Sequence, residues 1–335
     1  MSKAVKKIVV VGGGTAGWLT AAIVASHHKT DTTNAIQVTL VESSDIPTVG
    51  VGEGTWPTMK NTMQQIGIKE SDLFKHCHAV FKQGGKFVDW VHGSGDFYYH
   101  PFTVPLSYGR IDLAPYVSNI ENYAIESNFQ HHICEAGLAP RTMAESEYTA
   151  QCNYAYHLDA GAFADLLKQH CRDALNVEQI IGTGHDVNLA ENGDIQAVVL
   201  ADQKAVTGDL FVDCTGFSSL LLGKALKVPF IPQDDVLFND SALAMQVPYE
   251  DENSPIACHT IATAQNAGWI WDIGLTHRRG VGHVYSSQYL SDDEAESNLR
   301  QYLGDDATFG RQSGDEFLVL VENITSMASL QHTLN

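Results

Sequence analysis

The sequence predicts an α/β fold in which a doubly wound nucleotide-binding domain is interleaved with an antiparallel β-sheet region. Two observations predict this arrangement. The first 42 residues have the pattern of strand, glycine turn, helix and strand, which is one βαβ unit. Residues 79–105 and 177–212 alternate apolar and polar side chains, as antiparallel strands do. Because no linker divides the chain, we expect two layers woven together by discontinuous segments.

The βαβ unit begins with a short apolar run at residues 6–11, which is typical of a buried parallel strand. Three glycines follow, and from Trp18 the chain is rich in alanine and leucine, as helices are. A second β-rich run, residues 36–42, ends in an acidic residue.

The rest of the chain contains further recognisable elements. We predict helices over 61–76, 111–139, 157–175 and 292–303, strands within 79–105 and 241–290, and a small antiparallel meander over 177–212. Asp159 is the expected N-cap of the third of these helices.

Charge and hydropathy exclude several functions. The 335 residues contain 20 Lys and Arg against 40 Asp and Glu, so the formal net charge is −20. Such an acidic chain repels nucleic-acid phosphates and anionic lipid, so we expect neither nucleic-acid binding nor electrostatic membrane docking. No apolar run approaches the ~20 residues of a membrane span. We therefore expect a soluble, cytoplasmic protein.

Cysteine and histidine patterns predict no metal site. The six cysteines are scattered without a CxxC pair, which favours a reducing compartment and few or no disulfides. The 15 histidines show neither HExxH spacing nor a zinc-finger pattern. We interpret them as surface residues or as buried residues with hydrogen-bond partners.

A GxGxxG motif connects the first strand to the first helix. In such a loop the glycines let a pyrophosphate come close to the backbone, and the helix N-terminus faces the anion. An acid at the end of the second strand accepts hydrogen bonds from the ribose. Glu42 is that acid. The predicted loop contacts are Gly12, Gly13, Gly14, Thr15, Ala16 and Gly17.

One βαβ unit does not distinguish NAD from FAD. Later in the chain a strand ends in Asp213-Cys214-Thr215-Gly216, which is similar to the second flavin fingerprint of FAD-monooxygenase-like proteins. We therefore predict FAD, with Asp213, Gly216 and Val187 of the meander as further cofactor contacts. A strand-to-turn boundary without function is the alternative.

Taken together, the motifs resemble those of flavin-dependent halogenases of the tryptophan-halogenase type. The likeness covers roughly residues 5 to 300. It rests on GGGTAGW at 12–18, GVGEGT at 50–55, FK at 81–82 with KFVDW at 86–90, YHLDA at 156–160 and WIWDI at 269–273.

This resemblance implies a mechanism. FAD, reduced by a separate flavin reductase, reacts with O₂ and with chloride or bromide to give hypohalous acid. A tunnel carries that acid to a lysine, which directs it at an electron-rich ring of a tryptophan, indole, pyrrole or phenol. Lys82 has the motif context of that lysine. Gly50, Gly52 and Glu53 would lie beside the flavin, and Trp269 and Trp271 would line the tunnel.

Other interpretations of these residues remain open. Lys82 fits a strand lysine that extends to water, Glu53 fits an exposed loop acid, and Trp269 and Trp271 fit core packing. An FAD monooxygenase or oxidase without halide chemistry is a second possible function, and a non-catalytic FAD-binding remnant is a third.

The chain departs from the family pattern near its C-terminus. Gly274 stands where the WxWxIP motif has proline, and residues 310–335 do not resemble the family's glutamate- and halide-binding segment. We therefore expect a truncated chain that is nearly inactive as a halogenase. The expected organisation is FAD-binding parts at 1–78 and 151–225, substrate-side parts at 79–150 and 226–300, and an atypical tail at 301–335.

Overall fold

The computed structural model describes residues 4–28, 35–46, 53–119, 123–251 and 253–304, and the backbone of two later strands. The helices are α1 Thr15–His27, α2 Thr58–Ile66, α3 Glu70–His76, α4 Tyr123–Ser127, α5 Gln130–Glu135, α6 Ala160–Ala174 and α7 Asp292–Leu303. The strands are β1 Lys7–Val11, β2 Gln37–Glu42, β3 Glu53–Gly54, β4 Val80–Lys82, β5 Gly84–Val88, β6 Phe97–Pro101, β7 Ala155–Leu158, β8 Glu178–Ile181, β9 Gly184–Leu189, β10 Ile195–Leu200, β11 Ala205–Thr207, β12 Leu210–Asp213, β13 Ser241–Pro248, β14 Thr260–Gln265, β15 Gly268–Gly274, β16 Arg278–Tyr285, β17 Ala307–Ser313 and β18 Glu316–Val321.

A parallel sheet of order β12-β1-β2-β8 forms the first layer. Strand β1 is apolar on both faces because both are covered. Ile8 and Val10 belong to the core that contains α1 and α6, whereas Val9 and Val11 pack with residues of the β9-β10-β11 meander. The predicted βαβ unit and meander are therefore confirmed.

An eight-stranded mixed sheet of order β17-β18-β13-β16-β15-β14-β5-β6 forms the second layer. Its strands come from the middle and the end of the chain, as the predicted interleaving requires. A small sheet, β3-β7-β4, adjoins it because β4 and β5 are separated in sequence by Gln83 alone. This small sheet positions both Glu53 and Lys82.

One carboxylate ties the two layers together. Asp159 caps α6, as predicted, by accepting a hydrogen bond of 2.9 Å from the Ala162 backbone N–H. Its other oxygen lies 2.6 Å from Nη2 of Arg278 on β16. Arg278 is buried, so this ion pair joins a helix of the first layer to a strand of the second.

Several predicted helices differ from the structure. Residues 61–76 form two helices, because Gly67 adopts φ +86° and ends α2. The helix predicted over 157–175 begins at Ala160, and Ala155–Leu158 form β7.

The prediction of one helix over 111–139 is wrong. The described part of that span contains α4, α5 and a 3-10 turn at Ala114–Tyr116, where Pro115 cannot donate a backbone hydrogen bond. Across the described residues, no helix is long and apolar enough to cross a bilayer.

Candidate active site

A cavity of about 450 Å³ opens at the carboxyl ends of the parallel strands. Ligands of open α/β sheets bind at this edge, because the loops between strands and helices meet there. Its wall combines the glycine loop, the ends of β2 and β8, the turn after β12, and Glu53. The lining residues are Val11, Gly12, Gly13, Gly14, Thr15, Ala16, Val41, Glu42, Ser43, Ile46, Glu53, Ala160, Gly182, Thr183, Gly184, Cys214, Thr215, Ser218 and Leu220.

The loop glycines differ in what surrounds them. A Cβ on Gly12 would lie 2.0 Å from the Cys214 carbonyl oxygen, and one on Gly17 would lie 1.8 Å from the Gly12 carbonyl oxygen. A Cβ on Gly13 would lie 2.2 Å from the Glu42 carboxylate. On Gly14 the same atom would meet no protein atom within 4 Å. Three glycines are therefore required by packing, and Gly14 faces open space.

The N-terminus of α1 is open toward this cavity. Gly14 is its N-cap and provides no side-chain hydrogen bond. The first backbone N–H groups of a helix have no partner inside the helix and carry a partial positive charge. The loop therefore fits a pyrophosphate, since backbone donors and open space meet at the same point.

Glu42 is held in place beside Gly13. Its carboxylate accepts a hydrogen bond of 3.2 Å from Trp18 Nε1, pairs with Lys168 Nζ at 2.5 Å, and accepts a hydrogen bond from Gln179. A carboxylate has about four acceptor sites. Three protein donors thus orient Glu42 and leave capacity for a ligand hydroxyl.

Lys82 lies close to this cavity but outside it. Its Nζ would lie 2.9 Å from a Cβ on Gly54, the residue after Glu53 in β3. No ion pair joins Lys82 to a carboxylate within the described ranges, and burial lowers the pKa of its amine. Glu53 lines the cavity and is open to solvent there, and partial desolvation raises the pKa of its carboxyl group.

A second cavity, of about 500 Å³, adjoins Lys82 and is mostly apolar. Lys82 Nζ is 5.4 Å from the ring centre of Trp56 and 5.5 Å from that of Phe102, and both rings line this cavity together with His100. We call it the aromatic cavity. The sequence analysis missed Trp56, His100 and Phe102, although the Trp-Pro pair after GVGEGT offered a local signal.

Four predicted cofactor residues do not line the first cavity. Gly17 packs beneath the loop, Val187 packs among the meander core, and Gly216 turns the chain with φ +58°. Asp213 holds the turn after β12: its carboxylate accepts hydrogen bonds from Thr215 and from the backbone N–H groups of two residues further on. Gly50 and Gly52 lie outside the described residues.

The two tryptophans of the WIWDI motif point to one face of β15, but line neither cavity. Trp269 lies 6.2 Å, ring centre to ring centre, from Trp90. Trp271 packs on Gly282, where a Cβ would lie 2.5 Å from its indole ring. Their geometry favours packing within the second layer over lining of a tunnel.

The buried histidines are only partly hydrogen-bonded. A ring nitrogen of His131, His157, His259 and His283 is buried without a hydrogen-bond partner. The other ring nitrogen of His157, His259 and His283 does have a partner, as expected: Thr260, Tyr99 and the Ala295 carbonyl, respectively.

Comparison with known proteins identifies the family. The model of the tryptophan halogenase family matches residues 7–314. The chain belongs to this family. It is 39% identical over 325 residues to the 7-chloro-L-tryptophan 6-halogenase KtzR of Kutzneria, and 35% identical over 315 residues to the tryptophan 7-halogenase RebH of Lentzea aerocolonigenes. These alignments cover 89% and 88% of this chain, but 61% and 58% of the relatives.

Solved structures agree with the family assignment and confirm the mixed α/β fold. The crystal structure of a tryptophan halogenase from Shewanella frigidimarina has a TM-score of 0.85 and 45% identity. That superposition covers 90% of this chain and 60% of the Shewanella chain. The chain thus spans about three-fifths of the length of these halogenases.

Proposed function

We propose that the protein containing this chain is an FAD-dependent halogenase that transfers chlorine or bromine to an electron-rich aromatic ring. One observation carries the proposal. The half-buried amine of Lys82 has no carboxylate partner among the described residues, contacts Gly54 next to a cavity suited to a dinucleotide, and lies 5.4 Å and 5.5 Å from two rings that line the aromatic cavity. Family membership supports the same chemistry.

FAD is held, in this proposal, by the glycine loop, the N-terminus of α1 and Glu42. The backbone N–H groups of the loop bind the pyrophosphate, and Gly14 gives it room. Reduced FAD supplies, with O₂, the oxidising power that converts a halide ion into hypohalous acid. We assign halide binding to no described residue. Reduction of FAD is the task of a separate flavin reductase.

Lys82 acts on the hypohalous acid as a hydrogen-bond donor. A half-buried ammonium group without a carboxylate partner has N–H bonds available to a small molecule beside it. Donation to the oxygen of hypohalous acid withdraws electron density from the halogen, which makes the halogen more reactive toward an aromatic ring. An adjacent carboxylate would compete for those N–H bonds, so its absence among the described neighbours matters.

The short segment 53–56 supports this route because it reaches both cavities. Glu53 lines the first cavity, Gly54 contacts Lys82, and Trp56 lines the aromatic cavity. Because Gly54 has no side chain, nothing on β3 covers the amine at that point. We therefore assign the passage of hypohalous acid from the flavin cavity to the aromatic cavity to the space beside Gly54.

The aromatic cavity supports a planar apolar substrate. Trp56 and Phe102 offer ring faces, and aromatic pairs contribute about 1 kcal/mol beyond area burial. The names of the relatives favour tryptophan or an indole derivative.

The test is halide-dependent product formation. The protein as its gene encodes it is given reduced FAD, O₂, bromide and a panel of indoles and phenols, and products are examined by mass spectrometry. The proposal expects a brominated product that disappears when bromide is omitted. Hydroxylated product without halide would support a monooxygenase, and flavin oxidation without any product would support an oxidase. Either result would overturn the halogenase assignment.

A further inference from the structure

Two cysteines and a histidine from distant parts of the chain meet behind the aromatic cavity. Cys134 lies in the last turn of α5, while Cys258 and His259 immediately precede β14. All three residues are buried, with 5%, 7% and 6% of their surface exposed. The ligand-capable atoms of the three side chains lie within 4.8 Å of one another. Nothing in the proposed halogenation uses these groups.

The hydrogen bonds of Tyr99 determine which nitrogen of His259 is protonated. The Tyr99 hydroxyl has a single proton, which it donates to Glu135. Nε2 of His259 lies 3.4 Å from the same hydroxyl oxygen, which is left to accept. In the neutral imidazole Nε2 therefore carries the proton, and Nδ1 presents a lone pair. Nδ1 is buried and has no hydrogen-bond partner of standard geometry, and the Cys258 thiol lies within 4.8 Å in the same cluster.

We propose that Cys134, Cys258 and His259 bind a zinc ion. Two thiolates and an imidazole are the donors that Zn²⁺ prefers, at distances of about 2.3 Å for sulfur and about 2.1 Å for nitrogen. Two sulfur ligands on a tetrahedral centre are ~3.8 Å apart, so the observed cluster requires at most a small contraction. The remaining tetrahedral position is available to water. Both thiols release their protons on binding.

The surroundings of the cluster provide the outer hydrogen bonds that zinc ligands use. Tyr99 accepts from His259 and is itself anchored on Glu135, which pairs with Lys86 at 2.8 Å. Gln83 donates to the Cys258 sulfur at 3.2 Å, so that a thiolate there would have a donor.

A disulfide between the cysteines explains less. It would satisfy both sulfurs but leave Nδ1 of His259 buried and unpaired, at a cost of ~1–3 kcal/mol. A metal ion satisfies all three groups at once. The zinc site would link α5 to the second layer. It would also lie close to Lys82, since the next residue, Gln83, donates its backbone N–H to the Cys258 carbonyl at 2.7 Å.

The experiment uses the 335-residue chain, purified with a reductant and equilibrated with Zn²⁺. After removal of unbound metal we expect about one zinc per chain by elemental mass spectrometry. Cobalt substituted for zinc should give an intense thiolate-to-metal charge-transfer band, a readout that needs no variant. Cys134→Ser and Cys258→Ser should lose both signals. Tyr99→Phe should weaken zinc binding roughly 10- to 100-fold.

Cys171→Ser is the matched control, since Cys171 is an equally buried thiol on α6, outside the cluster. It should retain zinc and the cobalt band, and circular dichroism reports whether each variant folds. Three results would overturn the proposal: no retained zinc, zinc bound without a thiolate band, or four titratable thiols instead of six after the protein is denatured with a chelator and without reductant. The second would indicate surface histidines, and the third a disulfide.

Discussion

The two cavities beside Lys82 are built in opposite ways. The anion-facing wall of the first is a single continuous loop, residues 12–16, whose function follows from local backbone geometry. The aromatic cavity is assembled from Trp56, which follows β3, and from His100 and Phe102 at the end of β6, more than 40 positions later in the sequence. The first is thus specified by which residues lack a side chain, and the second by which side chains meet.

The strongest test of this contrast lies within the glycine loop. Gly17→Val should destabilise the protein by about 3 kcal/mol or more, because its Cβ would overlap the Gly12 carbonyl oxygen. Gly14→Val should leave the melting temperature unchanged and abolish FAD binding, because its side chain would occupy the space of the pyrophosphate. Thermal unfolding and flavin fluorescence titration measure the two effects. Retained FAD binding in Gly14→Val would refute the cofactor assignment.

Loss of the amine tests the connection between the cavities. Lys82→Ala should lower halogenated product by roughly 100-fold or more, the range for removal of a proton-donating group. It should still oxidise reduced FAD with O₂, since the flavin cavity is not lined by Lys82. Lys86→Ala is the matched control, because Lys86 pairs with Glu135 instead of facing either cavity. Near-normal product from Lys82→Ala would contradict its catalytic role.

A milder change probes the aromatic cavity alone. Trp56→Ala should raise the KM for the aromatic substrate about 10-fold, through loss of ~1.4 kcal/mol of ring contact. FAD affinity should not change. Tyr289→Ala, which removes an exposed ring outside both cavities, should change neither. Steady-state kinetics and flavin titration would show whether the cavities are separable, and a parallel loss of FAD affinity would show that they are not.

The smallest effect concerns stability. Burial lowers the pKa of Lys82, so the folded state holds the ammonium less favourably than the unfolded chain does. Lys82→Met should therefore raise the melting temperature at neutral pH. The gain is full below the folded-state pKa and shrinks as pH rises toward 10.5, where both states become neutral. Melting curves between pH 7 and pH 10 measure it, and a gain that is independent of pH would indicate packing instead of charge.

The two cavities also differ in how well the sequence predicts them. The glycine loop and its flanking strands were predictable, because GxGxxG and two apolar runs are local signals. The aromatic cavity was not, since no local pattern in the sequence brings Phe102 beside Trp56. Lys82 became a candidate through its motif context within the family resemblance, and its burial is visible in the structure alone.

The misread segments have physical causes. Residues 111–139 were predicted to be helical, but the described part of this span contains only two short helices and a 3-10 turn, where Pro115 lacks a backbone donor. The contact of Asp213 with the flavin stays a prediction. In the structure its carboxylate accepts hydrogen bonds from two backbone N–H groups of the following turn. The cysteine and histidine cluster escaped notice because Cys134 and Cys258 are 124 positions apart.

Asp159 connects the two layers through both of its oxygens, and this has a consequence for how the protein comes apart. Burial alone would raise the pKa of Asp159, but the Ala162 N–H and Arg278 outweigh it and lower that pKa. The contribution to stability is present at neutral pH and disappears as acid protonates the carboxylate. Separation of the layers would break the Asp159–Arg278 pair and expose buried Arg278 in the same event. Melting of either layer therefore removes support from the other, which favours a single cooperative calorimetric transition that broadens or splits in acid.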